Sequence, residues 1–250
     1  MILGWPYSII AARETGRTSW TALLDAVRLP PGADVTTITC TQVRQLINRL
    51  TATGQRQAGY SDILIVLDAG YEAPRIAWLL RDLPVGILGR MRSDRVLRRA
   101  TPPRVYQPLG GGPAKHGGEF VFGDAATWDV EQAVTVTDNR LYGRVKAQGW
   151  DRLHPRLRRR AAWVDHDQAL PVIAGTVIRL TVEHLPSRAE PEPVWLWWSQ
   201  VDATDADVDR CWQAFLRRFD IEHTFRLLEQ TLGWPLRSCA SRPRRTVGPG

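Results

Sequence analysis

Residues 62–91, "DILIVLDAGYEAPRIAWLLRDLPVGILGRM", constrain the fold more than any other stretch of this chain. Ile63 to Leu67 are consecutive apolar residues that end on Asp68 and a nearby glycine, as a strand buried on both faces would. "YEAPRIAWLLRDLP" reads as a short helix with Pro74 early in its first turn, where a missing N–H does no harm. "VGILGRM" then reads as a second buried strand. Strand, helix, strand in that order requires a parallel pair joined by a right-handed crossover. Asp68 is thereby expected at the carboxyl end of a central strand, where open α/β sheets place ligands.

Other elements follow from local pattern. "GWPYSIIAAR" and "TSWTALLDAVRL", separated by "ETGR", predict an antiparallel pair. In "VTTITCTQVRQLINRLTATG" the residues Val43, Leu46, Ile47 and Leu50 recur at helical spacing and a glycine follows, which predicts a helix with a stop signal. From Ser93 to about Pro193 the texture changes. "RVLRRATPPRVYQPLGGGPAKHGG" is a Pro/Gly/Arg-rich connector; it lacks a phosphate-loop pattern, because Lys115 is followed by His116. "EFVFG", "AVTVTD", "RAAWVD" and "TVIRLTVEHL" are short alternating runs that predict an antiparallel β insertion. "PEPVWLWWSQ" is a further strand, in which Trp195, Trp197 and Trp198 fit packing better than base stacking.

Beyond it, "DATDADVD" offers Asp202 or Thr204 as an N-cap with acidic first-turn residues. "FLRRFDIEHTFRLLEQTLGW", residues 215–234, reads as one amphipathic helix, and "RSCASRPRRTVGPG" has no periodicity and is expected to be disordered. The organisation expected is a core at 1–92, a β-rich insertion at 93–193, a core strand and helix at 194–234, and a tail at 235–250.

The class is bounded by composition. No apolar run is long enough to cross a membrane, and the opening residues lack a secretory signal, so a soluble, cytoplasmic chain with no membrane partner is expected. Cys40, Cys211 and Cys239 are too scattered for a disulfide framework or a metal knuckle. The net charge of +7 comes almost wholly from arginine, since Lys115 and Lys146 are the only lysines. Guanidinium groups pair with phosphate in a fork geometry, which favours a polyanionic partner. "RLHPRLRRR", residues 152–160, reads either as an exposed basic run or as a phosphate-contacting edge.

The charges of the 215–234 helix ask for a purpose. At about 100° per residue, Arg218, Glu222, Arg226 and Glu229 share one stripe with Phe215, so the stripe does not simply face water. A carboxylate at a strand end and another on a helix are what a site for hard divalent cations needs.

The spacing Phe215-x2-Arg218-x3-Glu222-x6-Glu229 resembles the Y-x2-R-x3-E-x6-K signature of bacterial insertion-sequence transposases of the DDE superfamily. "VLDAGYEAPRIAWLL" resembles that family's second-aspartate segment, "GILGRMRSDRVL" the strand and basic turn after it, and the β-rich stretch the insertion before its glutamate helix. The resemblance implies a ribonuclease-H-like α/β fold with an antiparallel β-rich insertion before the last catalytic helix. It further implies Asp68 and Glu222 as catalytic ligands of Mg²⁺ or Mn²⁺, and Arg218 beside DNA phosphates. Arg226, Arg90 and Arg92 are expected to contact DNA as well. The implied activity is two-metal phosphodiester hydrolysis and strand transfer on element ends and target DNA, with a homo-oligomer assembling there on the nucleoid.

Phe215 stands where tyrosine is usual and Glu229 where lysine is. The family's first aspartate precedes the antiparallel pair, and no residue here matches it, since Asp25 and Asp34 come too late. The expectation is therefore a truncated, inactive copy, with a non-catalytic DNA-binding remnant as the alternative.

Overall fold

A computed structural model of the chain describes residues 6–13, 19–57, 62–103, 115–157 and 170–232. The chain forms two compact units, residues 1–57 with 219–250, and residues 58–218.

In the first unit, β1 (Tyr7–Arg13) and β2 (Thr21–Arg28) form the expected antiparallel pair, with a register shift between Ile10 and Ala11. Helix α1 (Val35–Ala52) starts where Asp34 accepts from the backbone N–H of Thr36 at 3.1 Å and from the Thr37 hydroxyl at 2.7 Å. This cap satisfies donors that the first turn leaves without helical partners. The stop-signal glycine, Gly54, takes a left-handed φ of +70° just beyond the helix. The buried stripe of α1 carries Cys40, Val43, Leu46 and Ile47. Gln42 is buried with them because Ser8 satisfies it: the Ser8 hydroxyl donates to its Oε1 at 2.7 Å, and its amide donates to the Ser8 carbonyl at 3.2 Å. Asp25 and Asp34 thus have structural roles, Asp34 as the cap and Asp25 in an ion pair with Arg49 at 3.2 Å.

The second unit is built on an eight-stranded mixed sheet. Strand β3 (Ile63–Leu67), helix α2 (Ala73–Leu79) and strand β4 (Val85–Met91) form the predicted crossover, with β3 and β4 parallel from Ile63↔Val85 to Leu67↔Gly89. Chain order then continues through β5 (Val96–Arg98), β6 (Glu119–Val121), β7 (Ala133–Asn139), β8 (Gly143–Pro155), β9 (Gly175–Val182) and β10 (Val194–Trp198). The spatial order is β3-β4-β10-β9-β8-β5-β6, with β7 on β8. The strands expected as an insertion therefore extend the same sheet, because β10 pairs antiparallel with both β4 and β9.

Helix α3 (Asp205–Leu216) covers one face, where Val208, Cys211, Trp212 and Phe215 meet Leu88, Ala147, Ile178, Leu180, Leu196 and Trp198. It opens with a capping box between Thr204 and Asp207, so Thr204 rather than Asp202 is the N-cap. On the other face Phe120, Phe122, Trp128, Trp150 and Trp195 stack together, and the three tryptophans of β10 are packing residues as expected.

Two expectations are corrected. Strand β3 is not central among the described residues; it ends the strand order, and four of its five residues are only half-buried because one edge has no neighbour. Residues 215–234 are not one helix either. Helix α3 ends at Leu216, a 3-10 turn spans Arg217–Phe219, and α4 (Asp220–Leu232) begins anew. Arg217 and Arg218 at the C-terminal end of α3 suit that helix's dipole, and Asp220 and Glu222 in the first turn of α4 suit that of the next. The run "RAAWVD" and the tail 235–250 lie outside the described residues.

Candidate active site

Register places Asp68. Leu67 and Gly89 are Cα partners on the parallel strands, so Asp68, just past the end of β3, stands level with Arg90, which is still within β4, near the carboxyl ends of both strands. Leu64 and Val66 pack against the α3 face, and strand alternation carries Asp68 to that same face. Arg218, in the turn that closes α3, meets it: its Nε lies 3.6 Å from Asp68 Oδ1. The arginine is held from below. Its guanidinium sits 3.8 Å from the centroid of the Phe215 ring, and Nη1 donates to the Phe215 carbonyl at 3.0 Å. Phe215 is buried in the core, so ring and cation are presented by a fixed helix end. The Arg218 side chain is 15% exposed, whereas that of Asp68 is 75% exposed. The aspartate is the accessible member of the pair.

Three of the residues singled out from sequence are thus brought to one strand end: Asp68, Arg90 and Arg218. Arg92 is exposed nearby in sequence and donates to Asp94 at 2.6 Å. Glu222 and Arg226 belong to the other unit. Both are exposed on α4, one turn apart, because the opposite side of the helix is anchored by the buried Thr224, whose hydroxyl is 2.8 Å from that of Thr21 on β2. The stripe drawn from Phe215 to Glu229 does not survive the helix break; within α4 the set Glu222, Arg226 and Glu229 does.

Several arginines, among them Arg152 of the basic run 152–160, are committed to acids. Arg98 pairs with Glu119, Arg99 with Asp129, and Arg152 with both oxygens of Asp202 at 2.7 Å. Arg152 takes a left-handed φ of 55° at the bulge in β8. The cleft that Arg99 and Arg152 line beside Phe120 and Trp150 is balanced by Asp129 and Asp151. Arg104 and residues 158–160 lie outside the described residues. What sequence reasoning missed is the stack of Arg218 on Phe215, which the i,i+3 spacing of the two residues signalled.

The parallel β3–α2–β4 unit, the antiparallel strands that extend it and the acid–base pair at its ligand-binding end define a mixed-sheet α/β protein consistent with a ribonuclease-H-like fold. The chain belongs to the DDE superfamily endonucleases, whose family model matches residues 1–156. No curated protein matches it. The family supports a transposase or nuclease function, its substrate is DNA, and its members generally use divalent metals. The donor chemistry of Asp68 fits such a cation, since an open carboxylate supplies hard oxygens. Among the described residues no group of three His, Cys, Asp or Glu side chains that could hold a metal is assembled. Nor is any described helix long and apolar enough to cross a membrane.

Proposed function

We propose that the chain is an insertion-sequence-type DDE transposase in which Asp68 and Glu222 are metal-binding carboxylates and Arg218, Arg226, Arg90 and Arg92 face DNA phosphates. The observation that carries this reading is the Asp68–Arg218 pair at the carboxyl end of the parallel strands. Bound Mg²⁺ or Mn²⁺ would supply Lewis acidity at the phosphodiester for hydrolysis and strand transfer. Asp68 would ligate the cation with its exposed oxygens, and Glu222 would add a second carboxylate. Arg218, kept in place by Phe215, would turn from Asp68 to the phosphate and neutralise charge building on its oxygens.

A second reading, a DNA-binding remnant that does not cut, is favoured by the place of β3, which ends the strand order with one edge unpaired among the described residues. A carboxylate-bearing strand on that edge would complete a three-acid set. Mn²⁺ titration followed by electron paramagnetic resonance, run beside plasmid nicking, decides between them. Binding that disappears in Asp68→Ala supports the metal site, and unchanged binding refutes it. DNA binding by residues 1–250 without nicking would support the second reading. Mn²⁺-dependent nicking abolished by Glu222→Gln would instead show that the chain already holds a working set of carboxylates.

A further inference from the structure

A cation in the middle of the sheet pairs with no acid among the described residues and takes no part in the Asp68 set. Arg179 lies on β9, with Trp195 of β10 and Gln148 of β8 as its Cα partners. Its neighbours Ile178 and Leu180 face α3. By strand alternation Arg179 therefore faces the opposite side of the sheet. It is half-buried there, its guanidinium carbon 5.3 Å from the centroid of Trp128 and 5.9 Å from that of Trp195.

Arg179 Nη1 donates to Gln148 Oε1 at 3.2 Å, and Gln148 is oriented by donating its own amide to Glu131. A neutral amide thus stands between the nearest acid and the guanidinium. Arg98, Arg99 and Arg152 each meet a carboxylate. Arg179 meets none among the described residues, and burial draws its pKa down. A partly desolvated cation is unfavourable unless something answers its charge, and ring faces answer only part of it. Set beside two indoles and pinned through one nitrogen, the fork is pre-organised for an anion.

Lys146 adds a second charge. It is exposed on β8, its Cα partners Thr181 and Val136 are not acidic, and the carboxylate whose charge it feels is Glu131, the acid bound by Gln148. Thr181 is two residues from Arg179 along β9, so Lys146 and Arg179 occupy diagonal positions on one face, about 7–8 Å apart. The row Met91, Trp195, Arg179, Gln148 runs one residue beyond the level of Asp68 and Arg90. The two cations therefore lie at the same end of the sheet as Asp68, on its other face.

We propose that Arg179 and Lys146 form a phosphate subsite on the sheet face opposite Asp68, and that its occupant is a backbone phosphate of nucleic acid. The anion chemistry stands on Arg179 itself; the choice of nucleic acid rests on the DNA reading above. Anisotropy of a short labelled duplex, titrated at several salt concentrations with the full chain, tests it. Arg179→Gln and Lys146→Gln should each weaken binding roughly three- to tenfold at low salt and lower the log–log salt slope by about one. Arg179→Gln should unfold at the wild-type temperature or above, since an uncompensated cation is gone, and Lys146→Gln alters only an exposed side chain. Unchanged affinity and slope in both variants, with the wild type binding, overturns the subsite and leaves the DNA reading intact. If the wild type binds no duplex, the DNA reading fails. In that case, inorganic phosphate quenching tryptophan fluorescence in the wild type but not in Arg179→Gln would overturn the nucleic-acid source and assign the anion site to a free phosphate compound.

Discussion

Acid should weaken the second unit through one histidine. His154 on β8 is 1% exposed, its Nε2 lies 2.9 Å from Nδ1 of His116, and its own Nδ1 is buried without a hydrogen-bond partner among the described residues. Burial pushes its pKa from 6.5 down to about 4, with the neighbouring His116 and Arg98 adding to the effect. His116 is lowered too, by burial and by Lys115, Arg156 and Arg98. The folded state therefore binds this proton more weakly than the unfolded chain. The His154 contribution is fully present above pH 6.5 and is lost as pH falls from 6.5 towards 4. Integrating the two titration curves gives a loss of about 2 kcal/mol between pH 7 and pH 5, reaching about 3 kcal/mol by pH 4.

Urea unfolding followed by tryptophan fluorescence at each pH measures it. Carboxylates contribute their own pH dependence, so the informative quantity is the difference from His154→Gln, which retains hydrogen-bonding groups but does not titrate. The wild type should lose about 2 kcal/mol more than the variant between pH 7 and pH 5. Stability curves that run parallel for the two proteins would refute the reasoning.

Gly175→Ala should destabilise the same unit by about 2–3 kcal/mol or more, because the added Cβ would lie 2.3 Å from the Trp198 carbonyl oxygen and 2.6 Å from the Trp197 ring; a thermal melt at the wild-type temperature would contradict this. Cys211, whose thiol is pushed up to about 12 by burial in the α3 core, should resist alkylation at pH 8 until urea opens the unit. Peptide mapping of the labelled protein checks that, and rapid labelling of native Cys211 would show that α3 is not seated as described.

Local sequence pattern was sufficient for most elements. Five apolar residues closed by an aspartate and a glycine made β3; a spacing of three and four made α1; acidic residues after Thr204 marked the start of α3. These are decided by backbone preference, side-chain periodicity and end-capping, which act over a few residues and can be read in one dimension. Asp68 was legible for the same reason, since a strand end is a local feature.

The sequence alone did not show where β3 would lie in the sheet, because an apolar strand reads alike whether one of its edges is paired or both are. It also did not show that 215–234 is two helices. The amphipathic stripe runs through the break, and the charges on either side, Arg217 and Arg218 then Asp220 and Glu222, could as well have belonged to one exposed face.

Pairing was the largest gap. Thirty-three basic residues are visible in the sequence, but which are neutralised depends on the acids that register and packing bring within reach. Only the folded sheet sets Arg152 against Asp202 and Arg218 against Asp68, while leaving Arg179 beside two indoles with an amide in the place of an acid. Coulomb attraction falls with distance in space, and distance in space between residues far apart in the chain is decided by tertiary structure alone.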